Sequence, residues 1–322
     1  MTLALVLACA EDTLLLGAHQ VLELPTEGVS DIADPHVVLN EGVYHLFATN
    51  DKSTQGLWTS EDLVAWTNEG AVWQPEPASW ADQGEVWAPS VHPGQKDGEE
   101  GWYLVYTSGL RIGLAWSDSL AGPYQEVLDH PLVGGGYGGV GDGQDVSEDF
   151  LDPLNFAEFS IDAFVFEHEG ERILYCTRYS PLSQLIAIPL TGWTETGEPT
   201  VVSEPESGGW DFPVNEGPWL LARDGLIHMS FSGNRAESAD YAVGAAWASS
   251  PWGPFERDPD NPVLESKAEI WGPGHHALVE APDGRTLIFY HSKVSAQEGF
   301  ERRIRYAFVE WEGQRMRVVP AL

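Results

Sequence analysis

Residues 214–233, VNEGPWLLARDGLIHMSFSG, set the carboxyl group of Glu216 at the mouth of an apolar run. A carboxylate aimed at a core is costly unless it is paired or put to use. Glu216 is therefore either a solvated loop charge ahead of a strand or a working acid held where the strand begins. The residues after it read as two strands joined at Asp224-Gly225, a dipeptide that suits a tight hairpin turn.

Four other segments share this grammar of a polar residue, an apolar strand, a Gly turn and a second aromatic-rich strand. They are ADPHVVLNEGVYHLFAT (33–49), WAPSVHPGQKDGEEGWYLVYTS (87–108), IDAFVFEHEGERILYCT (161–177) and GHHALVEAPDGRTLIFYHS (274–292). The turns are placed at Gly42, Gly101, Gly170, Gly225 and Gly284. A third and a fourth strand follow each hairpin, as in GLWTSEDLVAW then TNEGAVW, or VGAAWASSPWGPF then NPVL. Four strands per repeat is the signature of a propeller blade. The pattern predicts an all-β, five-bladed β-propeller of four-stranded antiparallel blades, occupying residues 20–322 as a single domain. A β-sandwich with coincidental repeats is the alternative, and helix-period segments are too scarce for an α/β fold. The stretch Val21–Leu24 is expected to complete one blade.

Composition agrees with a folded, turn-rich chain. Hydrophobic residues make up 43% against 20% charged, with 34 Gly and 22 Pro, which excludes disorder. The net charge of -34 repels a phosphate backbone, so nucleic acid is excluded as a partner and solubility is the plain reading of the acidity. Two cysteines, Cys9 and Cys176, are too few for a disulfide framework, and Cys176 lies in an apolar strand as a buried thiol. Residues 1–19 are read as a signal-like segment or N-terminal arm. MTLALVLAC resembles the end of a bacterial lipoprotein signal, with Cys9 as lipid-anchor position, although a basic leading region is missing. The expectation is a secreted, periplasmic or surface-held protein without a membrane-spanning helix.

The repeat gives the candidate residues their meaning. Taking Asp34, Ala88, Asp162, Glu216 and His275 as equivalent strand starts, all five point at the central axis. A lone Asp before Pro is more often a turn residue; equivalent placement in successive repeats lifts Asp34, Asp162 and Glu216 above that. Carboxyl groups converging on a water-filled funnel suit glycoside hydrolysis, which needs one acid for the leaving oxygen and one base for water. Trp87, beside the second start, is a natural platform for the apolar face of a sugar. Trp210, Trp271 and Arg303 are further substrate-binding candidates on the same rim. The Gly-rich, acidic insert at 134–159 lacks the spacing of a calcium loop and reads as a rim loop shaping the pocket.

These segments together resemble glycoside hydrolase family 43. DIADPHVVLNEGVYHLFAT is similar to the family's base segment, SIDAFVF to its modulator segment, NEGPWLL to its acid segment, and EVWAPSVH and GPGHHALVE to its second- and fifth-blade segments. The resemblance implies an inverting mechanism with Asp34 as general base, Glu216 as general acid and Asp162 as modulator of the acid's pKa. The family usually has Pro after the modulator, and Ala163 stands there instead. The resemblance also implies a structural calcium near His275 at the axis, for which a neutral imidazole bonding a sugar hydroxyl is the alternative; no cofactor is required for the chemistry. Arabinofuranosidase or arabinanase activity on plant or algal polysaccharides ranks first, because the family's β-xylosidases often carry an extra sandwich domain. β-Xylosidase and exo-β-1,3-galactanase activities rank second, and a non-catalytic sugar-binding propeller is the rival from another class. Sialidase and fructan-acting relatives are disfavoured, since neither an Arg triad nor an Asn-Asp-Pro opening is present.

Overall fold

A computed structural model describes residues 19, 21–26, 28–134, 159–179 and 182–319. Cys9 and most of the 134–159 insert lie outside the described residues. The described chain forms five antiparallel sheets whose strands follow chain order from the innermost outward. Blade I comprises β1 (Ile32–Asn40), β2 (Val43–Asn50), β3 (Thr54–Ser60) and β4 (Thr67–Trp73). Blade II comprises β5 (Val86–Lys96), β6 (Glu99–Ser108), β7 (Arg111–Ser117) and β8 (Gln125–Glu126). Blade III has β9 (Phe159–His168), β10 (Glu171–Tyr179) and β11 (Ser183–Thr191), with two short outer segments, β12 (Glu195–Thr196) and β13 (Thr200–Ser203). Blade IV runs through β14 (Asn215–Arg223), β15 (Leu226–Gly233), β16 (Ala242–Ala248) and β17 (Glu256–Arg257). Blade V closes the ring with β18 (Trp271–Glu280), β19 (Thr286–Lys293), β20 (Arg302–Glu312) and β21 (Arg315–Val318), and β18 packs against β1.

The cores lie between blades. Phe47 and Leu57 of blade I meet Leu104 and Tyr106 of blade II; Leu46 and Trp58 meet Phe289 and Tyr306 of blade V on the other side. The same pairing repeats around the ring, so each sheet buries both faces and is held by its two neighbours. Hence the near-continuous apolar runs in the inner strands. Cys176 is a buried thiol in the layer between blades II and III.

Four hairpin turns place two successive residues at positive φ, the geometry of a type I′ turn: Glu41-Gly42, Asp97-Gly98, Glu169-Gly170 and Asp224-Gly225. In blade II the turn is thus at Gly98, not at Gly101, which pairs with Gly94 inside the hairpin. The second acidic run, Glu99-Glu100, belongs to the strand and masked the true turn. The outer strands are also shorter than the sequence suggested. In blade IV only Glu256–Arg257 pairs as a strand, and NPVL contributes a single bridge from Leu264 to Val243. Val21 and Leu22 bond to Arg305 and Ile304 on the outer edge of blade V, which ties the start of the propeller to its last blade.

Each inner strand carries a bulge near its start, where one residue adopts positive φ: Asp34 (55°), Ala88 (47°), Asp162 (60°), Gly217 (57°) and His275 (39°). Glu216 therefore is not the counterpart of Asp34 and Asp162. It stands one residue earlier, level with Ala33, Trp87, Ile161 and Gly274. Several bulges are capped by the preceding blade: Ala88 N–H donates to Thr49 Oγ1 at 2.8 Å, Asp162 N–H to Thr107 Oγ1 at 3.1 Å, and His275 N–H to Ser232 Oγ at 2.7 Å. Thr107→Val keeps the shape but strands the buried Asp162 N–H. A loss of about 1–3 kcal/mol is expected, read as a fall of a few degrees in Tm.

Candidate active site

The three carboxyl groups picked out from the sequence converge, each almost fully buried, at 6% exposure for Asp34, 7% for Asp162 and 8% for Glu216. Their surroundings differ. Asp34 Oδ1 lies 3.2 Å from Arg302 Nη1, 3.2 Å from His291 Nδ1 and 3.5 Å from His275 Nδ1, and Oδ2 accepts from Thr49 Oγ1 at 2.7 Å. Burial alone would raise its pKa; Arg302, His275 and His291 outweigh burial and hold it well below the usual carboxylate range. Arg302 is itself clamped, donating from Nε and Nη2 to the two oxygens of Asp31 at 2.9 and 2.7 Å. Asp34 is thus an ionised carboxylate fixed on three sides.

Among the described residues, Glu216 meets no cation at contact distance. Its Oε1 accepts from the Tyr241 hydroxyl at 2.7 Å and its Oε2 from the Tyr179 hydroxyl at 3.2 Å. Burial pushes its pKa up to about 7, with the Tyr241 bond pulling down and the Asp34 charge pushing up. Asp162 is raised as well, first by burial and then by the charges of Glu216 and Asp34, against a bond from Gly217 N–H. Asp162 and Glu216 share one buried site, so ionising either makes ionising the other harder. The Asp34 charge acts on both groups in the same upward direction.

His275, at the bulge of blade V, reaches Asp34 and Asp162 Oδ2, the latter at 3.7 Å, and burial lowers its pKa to about 4. It is neutral. His276 turns away to Ser230 Oγ at 2.6 Å, with burial lowering its pKa to about 3. Below the carboxyl groups the axis is packed with His36, His92, Phe164 and Trp219. Among the described residues no group of three or more His, Cys, Asp or Glu is arranged to hold a metal. Calcium takes oxygen ligands, and the oxygens beside His275 belong to Asp34 and Asp162.

Of the other candidates, Trp87 stays partly exposed beside the Ala88 bulge, its Nε1 donating to Glu85 Oε2 at 3.1 Å. Trp271 opens β18 and is also partly exposed. Trp210 packs on Phe231 and fills the space left by Gly244, which makes it a support of blade IV. Arg303 turns outward to the carbonyls of Ser30 and Arg302, while its neighbour Arg302 enters the site. The residues not anticipated are Asp31, Arg302, His291, Tyr179 and Tyr241. Strand alternation was the available signal for Arg302, since only one of two adjacent arginines can face inward.

The sequence profile described as Glycosyl hydrolases family 43 matches residues 29–314. The chain belongs to this family. The alpha-L-arabinofuranosidase 43 of Humicola insolens is 26% identical over 81% of this chain and 54% of its own length. The beta-D-galactofuranosidase xynD of Aspergillus niger is 28% identical over 84% of this chain and 77% of its own. This chain spans about half the length of the arabinofuranosidase it matches. A thermostable family-43 glycoside hydrolase of known structure superposes with a TM-score of 0.76 at 25% identity, covering 92% of this chain and 95% of that one. Family 43 chemistry needs no cofactor, in keeping with a site built of carboxyl groups and their neighbours.

With Glu216 raised to about 7 and Asp34 held low, the pair is one protonated and one ionised group over a defined pH window, which suits general acid–base work. Catalytic turnover of substrate is expected to be flat from mildly acidic pH to about 6 and to fall tenfold per pH unit above about 7. Initial rates across buffers from pH 4 to 9 check this; an alkaline limb already complete by pH 5 would contradict the assignment of Glu216.

Proposed function

We propose that the protein is an inverting glycosidase that releases terminal α-L-arabinofuranosyl groups from plant or algal polysaccharides or their oligosaccharides. The observation that carries this reading is the split between the two carboxyl groups: Asp34 is in contact with Arg302, His291 and His275, and Glu216 accepts from the phenols of Tyr241 and Tyr179. Environments that push two pKa values apart assign the base and the acid. Asp34 takes a proton from water as its oxygen bonds to the anomeric carbon. Glu216 gives its proton to the glycosidic oxygen as the old carbon–oxygen bond breaks. The cycle ends with Asp34 protonated and Glu216 ionised, and exchange with solvent restores both. Asp162, coupled by charge to Glu216, modulates the pKa of the acid.

The choice of a five-membered sugar ring draws on the two relatives, one named for arabinofuranosides and the other for galactofuranosides. α-L-Arabinofuranose and β-D-galactofuranose share ring stereochemistry and differ beyond C4, so one pocket floor serves both. Trp87 is the platform at the rim. A xylosidase named among the shorter matches keeps β-D-xylosides as the second reading.

The test is a panel of aryl glycosides with arabinan, arabinoxylan and β-1,3-galactan, assayed with wild type and Glu216→Gln. Arabinofuranosides are expected to be cleaved with inversion, read by proton NMR of the first product. Glu216→Gln should lower kcat roughly 10²–10⁴-fold on sugar leaving groups and far less on activated aryl groups. A retained anomer on first release would exclude Asp34 as base.

A further inference from the structure

The position before the bulge carries Glu216 in blade IV and Gly274 in blade V. A Cβ on Gly274 would lie 2.0 Å from Tyr241 Cε1. Blade V thus gives up a side chain at this level, and the ring of Tyr241 occupies the space. Tyr241 is fully buried, and its ring lies nearly parallel to that of His291, 5.7 Å away. A core tyrosine needs a partner for its hydroxyl; here the partner is Oε1 of Glu216 at 2.7 Å.

The Tyr241 O–H donates to Glu216 Oε1. Behind it, His275 N–H, at the bulge, donates to Ser232 Oγ at 2.7 Å, and the Ser232 hydroxyl partly offsets the rise that burial and the Glu216 charge impose on the Tyr241 pKa. An oxygen that already accepts the phenol's proton is the poorer place for the acid's own. The other oxygen, Oε2, has the longer 3.2 Å contact, to Tyr179.

We propose that Tyr241 is the positioning residue of the acid: as a committed donor to Glu216 Oε1, it confines the transferable proton to Oε2 and fixes the angle at which that oxygen meets the leaving group. The proposal deepens the reading of Glu216 as general acid and rests on it. The other charged or titratable groups facing this carboxyl are Asp34 on β1, Asp162 on β9, Tyr179 on β10 and Arg302 on β20, with His275 of β18 beside Gly217.

The experiment compares wild type, Tyr241→Phe, Ser232→Ala and Glu216→Gln on two substrates with the same glycone, one with an activated aryl and one with a sugar leaving group. Tyr241→Phe should lower kcat on the sugar leaving group about 10–100-fold, part of the ~10²–10⁴ that a general acid supplies. KM and the aryl substrate should change by less than about threefold, on the same principle. The carboxylate loses a donor that stabilised its charged form, so the alkaline limb of the pH profile should move to higher pH. Ser232→Ala, which leaves Glu216 untouched, should show a smaller split in the same direction. Equal losses on both substrates, or an unmoved alkaline limb in both variants, would overturn the positioning role. Should Tyr241→Phe fold poorly by circular dichroism, Ser232→Ala alone decides, and a wild-type split and limb there count against the proposal. Glu216→Gln separates the two failures: if it does not distinguish the leaving groups, the acid reading falls; if it does while Tyr241→Phe behaves as wild type, only the positioning role falls.

Discussion

The structure depends on a bulge that repeats five times at the axis and on what satisfies its backbone. At each inner strand one residue turns to positive φ, a conformation that costs an L-residue on the order of 1–3 kcal/mol. Only blade IV spends a glycine there. Elsewhere the strain falls on Asp34, Ala88, Asp162 and His275, and three of those N–H groups donate to Thr49, Thr107 or Ser232 on the neighbouring blade. Strain that persists in a native fold is over-determined by its surroundings, and here the surroundings are the adjacent blade. Two tasks are met by one device, because the bonds that hold the bulges also join the sheets into a ring.

The bulge also decides the electrostatics. With three carboxyl groups buried together, full ionisation is unfavourable, and the surroundings decide which of them keeps a charge. Arg302 makes the choice. Its guanidinium is gripped at two points by Asp31, so the contact to Asp34 is made without freedom to swing toward Glu216. The buried triad of Asp31, Arg302 and Asp34 carries one net negative charge, which Thr49 and two imidazoles share. That residual charge helps keep Glu216 protonated. A buried ion pair of this kind adds little to stability; its value lies in where it leaves the charge.

Much of this was legible in the sequence, and the gaps have physical causes. Five hairpins of one grammar suffice for the propeller, because period-2 alternation and the turn chemistry of Glu41-Gly42 or Asp224-Gly225 are local properties. Asp34, Asp162 and Glu216 were readable as a converging set for the same reason. Their register was not: EGP and ADP look alike, yet Gly217 rather than Glu216 takes the bulge. A one-residue slip in a strand alters which way a side chain faces, and nothing in the letters marks it. Arg302 hid behind Arg303 for the same cause. Tyr241 and Tyr179 meet Glu216 through the folded ring, at sequence separations of 25 and 37 residues, so no local pattern could find them.

The slip itself explains why the carboxyl group of blade IV is a glutamate. A carboxyl group at the bulge, such as Asp34 or Asp162, starts close to the axis and needs only a short side chain. Glu216 sets out from the residue before the bulge, level with Trp87 and Ile161, and has farther to reach. The extra methylene adds about 1.5 Å. Starting there also places it among residues from blades III and IV, where phenols rather than cations wait. Had the carboxyl group stood at the bulge itself, its backbone would take the place of Gly217, whose Cα position faces the His275 ring, and it would share the surroundings of Asp34. Offsetting this carboxyl group by one residue lets two like groups reach one space from different backbone positions, and so lets one be held charged and the other raised toward neutrality.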